Sequence, residues 1–389
     1  DGTSVEQWTY PNCKNGTEVI LYAVNGMGHA WPPQAPEVPG VSGKTSKNID
    51  ATKVIWEFFK ARGASKVGPP EYQSGDYHES LTVDSRARTY LLRIPKGFSS
   101  SKQYPLVALF HGGGGDGQKI AGQTGFADKA DAEGFILLAP DGIAHNWADG
   151  RGTTDAEKQG VDDIKFVRTL IEHLKSKLPI DQNKVYAAGP SNGGMMSWRL
   201  GCEMADVFAA IGPVISNMAE PIAPRCNPSQ SISVINISGT DDTFIPEEGG
   251  ACCARGDGGR LISLQASLEI FAKKDQCAMK SASEWLPQQV RDGTRVEKRT
   301  YPKCAGSQEV ISYLVQGAGH TWYPTEGASP IDKTSKNIDD TKEIWEFFEK
   351  HSRGEAAPAT FISVSSQNVF SGDTITATWS NVHVPTSRD

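Results

Sequence analysis

The sequence predicts an α/β fold, a mostly parallel sheet with helices on both faces. Short apolar segments alternate with helical stretches along the middle of the chain, the pattern of a parallel sheet buried between helices. Two alternating segments, at about 77–83 and 88–94, read as an antiparallel hairpin at the sheet edge. In a third place a strand turns through glycines straight into a helix: Val185 to Ala188 is followed by G-P-S-N-G-G and then by M-M-S-W-R-L-G-C-E-M.

After the hairpin the buried strands follow in order: Pro105 to Phe110, Phe135 to Ala139, Val185 to Ala188, Ile232 to Ile237 and Glu309 to Val315. These runs have the length of strands, and none approaches the roughly 20 apolar residues that a membrane helix needs. With 389 residues, 38% of them hydrophobic, the chain can bury one large core plus smaller pieces. Its formal net charge of -7 offers no basic footprint for nucleic acid or for an anionic membrane surface, so neither is expected as a partner.

The chain repeats part of itself. D-G-T-S-V-E-Q-W-T-Y-P-N-C from Asp1 returns as D-G-T-R-V-E-K-R-T-Y-P-K-C from Asp292, and G-M-G-H-A-W returns as G-A-G-H-T-W. K-T-S-K-N-I-D-A-T-K-V-I-W-E-F-F from Lys44 then returns almost unchanged from Lys333. His29 thereby corresponds to His320. The spacing far exceeds the roughly 20–50 residues of a solenoid repeat, so the copies read as the ends of two whole domains.

Residues 1-63 are then expected to be the C-terminal third of an incomplete upstream domain, 64-70 a linker and 71-353 the complete domain. Residues 354-359 read as a second linker, and the alternation from 360 to 389 as the truncated start of a β-sandwich. The first piece carries a strand, Glu18 to Val24, and a helix with Ile49, Val54, Ile55, Trp56, Phe58 and Phe59. Alone it cannot cover that apolar surface. It is expected to be poorly ordered, to dock weakly or to promote aggregation, with His29 idle.

G-P-S-N-G is a G-x-S-x-G motif placed between strand and helix, where Gly189 and Gly193 permit a tight turn and Ser191 is presented at the sheet edge. Outside that context it would read as a serine in a glycine-rich turn. A serine hydroxyl needs an imidazole to take its proton, and the imidazole needs a carboxylate to hold its tautomer. Both follow in the required chain order: S-G-T-D-D-T-F-I-P offers Asp241 and Asp242, and Q-G-A-G-H-T-W offers His320, with His111 and His145 as less well placed competitors. Spacing alone does not choose between the two aspartates.

Backbone donors for an oxyanion are expected from H-G-G-G-G-D-G, after the strand P-L-V-A-L-F, at Gly113, and from Asn192. Trp147 and Trp322 are candidate substrate-binding surfaces, with core packing as the alternative. Asp162 and Asp163 precede a helix and read as its caps. Among seven cysteines none shows C-x-x-C spacing, so disulfides, and with them an oxidising compartment, are the preferred reading over zinc or free thiols.

From about Glu71 to Arg353 the sequence resembles the secreted α/β-hydrolase esterases grouped as feruloyl esterases, acetylxylan esterases and polyhydroxybutyrate depolymerases. The residues that carry the resemblance are R-T-Y-L-L-R-I-P, L-F-H-G-G-G-G-D-G, A-P-D-G, V-D-D-I-K-F-V, G-P-S-N-G-G-M-M-S, G-T-D-D-T-F-I-P and G-A-G-H-T-W. The resemblance selects Asp242 over Asp241 and implies the bridges Cys202–Cys226 and Cys277–Cys304. Adjacent Cys252 and Cys253 are candidates for a vicinal bridge, and Cys13 corresponds to Cys304 without a partner.

The resemblance further implies a secreted, extracellular serine esterase that needs no cofactor or metal and acts on plant cell wall polysaccharide or polyester. Feruloyl esters of arabinoxylan lead, with acetylated xylan and polyhydroxybutyrate as alternatives. A catalytically idle polysaccharide-binding module is the non-enzymatic reading. Pro190 and Tyr323 depart from the family pattern and bear on the pocket.

Overall fold

The computed structural model describes residues 2–10, 19–34, 43–62, 72–253, 258–325, 332–353, 361–364 and 377–380. It divides into two compact units, Asp1–Glu71 and Tyr72–Asp389. Cys13 and both expected linkers, 64-70 and 354-359, lie outside the described residues.

In the first unit β1 (Ser4–Tyr10) pairs antiparallel with β2 (Val19–Asn25), and α1 (Ala51–Arg62) follows. Gly28 N–H donates to the Lys44 carbonyl and Ala51 N–H to the Pro32 carbonyl. The Thr3 and Ser46 hydroxyls are 2.7 Å apart.

The second unit holds the large sheet. Its strands are β3 (Gly75–Val83), β4 (Arg86–Ile94), β5 (Tyr104–Leu109), β6 (Ile136–Pro140), β7 (Ile180–Pro190), β8 (Ala210–Val214) and β9 (Ser233–Gly239). The small hairpin β10 (Gly250–Ala251) and β11 (Arg260–Leu261) stands apart, and β12 (Ala282–Trp285), β13 (Arg295–Tyr301) and β14 (Val310–Gln316) complete the sheet. Its spatial order is β12-β13-β14-β9-β8-β7-β5-β6-β4-β3. The strands from β14 to β6 run parallel, and antiparallel strands flank them on both sides.

Side chains alternate across a strand, and the two resulting faces bury two helical layers. Leu106, Ala108, Val185, Ala187 and Val234 face α5 (Asp163–Lys175), α6 (Asn192–Glu203) and α7 (Leu264–Lys274). Val107, Leu109, Tyr186, Ala188 and Ile235 face α2 (Gly117–Gln123), α3 (Phe126–Glu133) and α8 (Asp340–Phe348). One short helix, α4 (Asp155–Lys158), starts from a Thr154–Glu157 capping box. The pair β15 (Phe361–Val364) and β16 (Ala377–Ser380) is antiparallel.

Three strands of this sheet escape the apolar-run pattern. β8 reads A-I-G-P-V, and its glycine and proline argue against a central strand. Gly212 is required by packing: a Cβ there would lie 3.1 Å from Phe348 Cζ and 3.2 Å from Ile344 Cγ2 on α8. β12 and β13 are polar because they form the sheet's outer flank.

The repeated sequence forms the same elements twice. β1, β2 and α1 match β13, β14 and α8, and the bonds recur as well: Gly319 N–H donates to the Lys333 carbonyl, Asp340 N–H to the Tyr323 carbonyl, and the Thr294 and Ser335 hydroxyls are 2.7 Å apart. Burial separates the copies. Trp345 and Phe348 are 4% and 0% exposed, stacked on Phe135 and Tyr186, whereas their counterparts Trp56 and Phe59 are 63% and 59% exposed. His29 is exposed as well.

Candidate active site

The chain visits β5, then β6 on one side of it, then β7 on the other. Connections that diverge from neighbouring strands leave a crevice at the strands' carboxyl ends. A cleft of about 600 Å³ lies there, lined by the 111–116 loop after β5, by Pro190 and Ser191 after β7, and by Ile215, His320 and Trp322.

Ser191 sits between β7 and α6 with φ 55° and ψ -121°. Such a conformation costs a non-glycine residue on the order of 1–3 kcal/mol and persists only where its surroundings enforce it. Here the Ser191 N–H donates to the Val214 carbonyl at 3.0 Å, while β5 presses on the turn from the other side. A Cβ at Gly189 or Gly193 would overlap the Phe110 carbonyl oxygen, at 2.2 and 2.1 Å respectively. Both glycines of G-x-S-x-G are therefore demanded by the strand next door.

Asp242 follows β9 and His320 follows β14. His320 Nδ1 lies 2.7 Å from Asp242 Oδ2, and Asp242 Oδ1 accepts the Phe244 and Ile245 N–H groups at 2.8 and 2.9 Å. Asp242 is buried, whereas Asp241 is exposed and its carboxylate accepts the Thr240 hydroxyl. The Phe244 ring lies against the His320 ring, with centroids 5.2 Å apart.

The competing histidines are engaged elsewhere. Gly142 N–H donates to His111 Nε2 at 2.9 Å, so the His111 proton is on Nδ1, which donates to the Gly112 carbonyl at 2.7 Å. Burial pushes the His111 imidazole below its ordinary range, which keeps it neutral. His145 Nδ1 is 2.9 Å from the Gly115 carbonyl.

Gly113 and Asn192 are neighbours: a Cβ on Gly113 would lie 3.9 Å from Asn192 Cβ. Neither backbone N–H donates to a backbone carbonyl among the described residues. The Asn192 side chain is fully engaged, accepting from Trp147 N–H at 2.8 Å and donating to Asp149 Oδ2 at 2.6 Å.

The two tryptophans part company. Trp322 reaches the cleft wall, while its indole N–H donates to the Thr341 hydroxyl at 3.0 Å. Trp147 is 0% exposed and packs under the cleft against Phe110 and His111, its indole N–H donating to the His111 carbonyl at 2.9 Å. The expectation that Trp147 offers a substrate surface is thereby corrected, because a ring with no accessible area supports the loops from beneath. Of the two family departures, Pro190 lines the cleft and Tyr323 is buried, donating to the Gly319 carbonyl at 2.7 Å.

Asp162 caps α5 through the Lys165 N–H. Asp163 does more than cap: it accepts from Arg88 at 2.6 Å and from Ala148 N–H at 2.7 Å, anchoring the loop that carries Trp147. Sequence reading passed over Asp149 and Arg151, a fully buried ion pair at 2.8 Å, and Phe244; a charged D-x-R in a polar loop looks like solvated surface. Burial pushes the Asp149 carboxyl up, against the opposing pull of the Arg151 guanidinium.

All three cysteine pairs are bridged: Cys202–Cys226, Cys277–Cys304 and the vicinal Cys252–Cys253. No helix among the described residues is long and apolar enough to cross a membrane.

Residues 88–219 match the family described as Esterase PHB depolymerase. Putative esterase NocK of Nocardia uniformis is 29% identical over 251 residues, 62% of this chain and 72% of that protein. Feruloyl esterase C of Emericella nidulans is 29% identical over 67% of this chain and 83% of its own length. Feruloyl esterase B of Piromyces equi is also 29% identical, but the match spans only 42% of that protein. Among solved structures, an acetyl xylan esterase from Aspergillus awamori aligns with 70% of this chain and 99% of its own at 14% identity and a TM-score of 0.48. Residues 88–219 are thus similar to the esterase PHB depolymerase family, and the chain is similar to proteins named feruloyl esterase.

Proposed function

We propose that this chain is a serine carboxylic ester hydrolase working through an acyl-enzyme, with Ser191 as nucleophile, His320 as general base and Asp242 as its orienting acid. One observation carries the reading: the His320 imidazole, bonded to buried Asp242 at 2.7 Å, shares a cleft with a serine held at φ 55°.

In the proposed cycle Ser191 Oγ attacks the ester carbonyl while His320 Nε2 takes its proton. The oxyanion is held by the Gly113 and Asn192 N–H groups. Collapse expels the alcohol, which takes the proton back from His320. Water then attacks the acyl-serine by the same route, giving the free acid and the regenerated hydroxyl.

Relatives named feruloyl esterase favour plant cell wall esters as substrate, with feruloyl arabinoxylan first and acetylated xylan or polyhydroxybutyrate as alternatives. The cleft lining includes the apolar Ile120, Ile215 and Trp322 together with the Asp116–Lys119 ion pair, suited to an acyl group that is partly apolar and partly polar. Three disulfides fit an oxidising, extracellular setting.

The first unit is read as the C-terminal third of a second such domain, whose exposed Trp56 and Phe59 lack the cover their counterparts have. Turnover of methyl ferulate, acetylated xylan and polyhydroxybutyrate by the full chain tests the substrate. Release of ferulate fastest supports the reading, and tight xylan binding with no ester hydrolysed refutes it in favour of a binding module.

A further inference from the structure

Ser191 is followed by Asn192, whose backbone N–H is the proposed oxyanion donor, and the Asn192 side chain is held from a single direction. Its amide oxygen accepts the Trp147 N–H, and its amide nitrogen donates to Asp149 Oδ2 at 2.6 Å and to the Trp147 carbonyl at 3.2 Å. Asp149 is in turn fixed by Arg151, whose Nε and Nη2 reach its carboxylate at 3.0 and 2.8 Å. Both members of the pair are buried, so the carboxylate has no freedom to move toward water.

The guanidinium faces the other half of the machinery as well. Arg151 Nη1 lies 2.9 Å from Cys253 Sγ and 3.1 Å from the Gly258 carbonyl. Cys253 N–H donates to the Phe244 carbonyl at 3.1 Å, and the Phe244 N–H donates to Asp242 Oδ1. One buried ion pair therefore spans from the residue beside the nucleophile to the loop that carries the acid and packs on His320.

A buried pair of charges is weak evidence for stability, since apolar residues of similar volume often serve as well. It is better explained by what it holds. We infer that Asp149, seated by Arg151, is a positioning residue that fixes Asn192 and so aims its backbone N–H at the oxyanion. The inference rests on the proposed serine mechanism.

The test uses the full chain and p-nitrophenyl acetate, with Asp149→Asn and the apolar double variant Asp149→Leu/Arg151→Met, which keeps no unpaired buried charge. Loss of one oxyanion donor lowers kcat by about 10²–10³, and a donor that is present but loosened should lose part of that, roughly tenfold or more. The expected result is such a fall in kcat with KM within about twofold and, for Asp149→Asn, which keeps Arg151 in place, an unmoved pH midpoint of kcat/KM, because His320 and Asp242 are untouched. Folded variants with wild-type kcat, a change in KM alone, or failure of both variants to fold would overturn the inference in favour of a structural pair. Ser191→Ala separates the two levels: if it abolishes turnover while the Asp149 variants stay fully active, only this inference falls; if it stays active, the mechanism beneath it falls.

Discussion

Replacing Asp242 by asparagine changes one charge and almost no volume, yet the geometry fixes what the amide must do. Oδ1 of Asp242 receives two backbone N–H groups, from Phe244 and Ile245, at 2.8 and 2.9 Å. An asparagine must keep its oxygen there, because an NH₂ would face two donors. Its NH₂ then points at His320 Nδ1, now 2.7 Å from the Asp242 carboxylate. Nδ1 becomes the acceptor, the ring proton moves to Nε2, and the imidazole can no longer take the Ser191 proton.

A trapped tautomer of this kind costs a serine hydrolase about 10⁴ in kcat, about 5 kcal/mol in the barrier. KM should hold within about twofold, since Asp242 does not line the cleft. Stopped or continuous assays with p-nitrophenyl acetate measure both, alongside a thermal melt to establish folding. Asp241→Asn is the internal control, because that side chain is exposed, and it should keep kcat within about twofold. An Asp242→Asn protein that folds and retains more than a tenth of wild-type kcat would refute the assignment.

Other consequences follow from burial. Asp275 has one carboxylate oxygen without a partner, and burial pushes its carboxyl up to about 6. The folded state therefore holds a proton that the unfolded chain releases near pH 4, so stability declines as pH rises from about 4 to 6 and stays lower above it. Asp275→Asn should accordingly gain about 1–3 kcal/mol over wild type at pH 8 and little at pH 4, read from urea melts at both; an equal difference at the two pH values would exclude burial of this charge as the cause. Trp147→Phe removes the indole donor from the buried His111 carbonyl and should cost about 1–3 kcal/mol by melting; a change in KM with no loss of stability would restore Trp147 as a substrate surface. Finally, Trp345→Ala should cost about 3–5 kcal/mol, whereas Trp56→Ala, at a position 63% exposed, should change stability by less than about 0.5 kcal/mol and lower binding of a hydrophobic dye; equal costs at the two sites would mean that the first unit is covered in solution.

Much of the fold was legible because buried parallel strands write themselves as continuous apolar runs, as Leu106 to Leu109 and Ile136 to Ala139 do. β8 was not, because Gly212 makes room for Phe348 and Ile344 and Pro213 has no N–H to give. The polar flank β12–β13 carries no such run at all. At the site, chain order brought the Asp241–Asp242 pair and His320 forward, the family resemblance singled out Asp242, and the structure sets Asp242 and His320 2.7 Å apart.

Depth is what the sequence does not encode. Trp147, expected at the cleft surface, lies wholly beneath it, and Asp149 and Arg151, which the sequence reading passed over, are both buried. Only tertiary packing distinguishes these cases. Asp163 likewise looks like a cap and is also the anchor of Arg88.

The most direct test of the mechanism is covalent. Treated with a fluorophosphonate, the chain should lose ester turnover in step with the appearance of one adduct, which peptide mass spectrometry should locate on Ser191. Ser191→Ala, with an unchanged melting temperature, should neither label nor turn over. An adduct on another residue, or full turnover by the folded Ser191→Ala protein, would contradict the account.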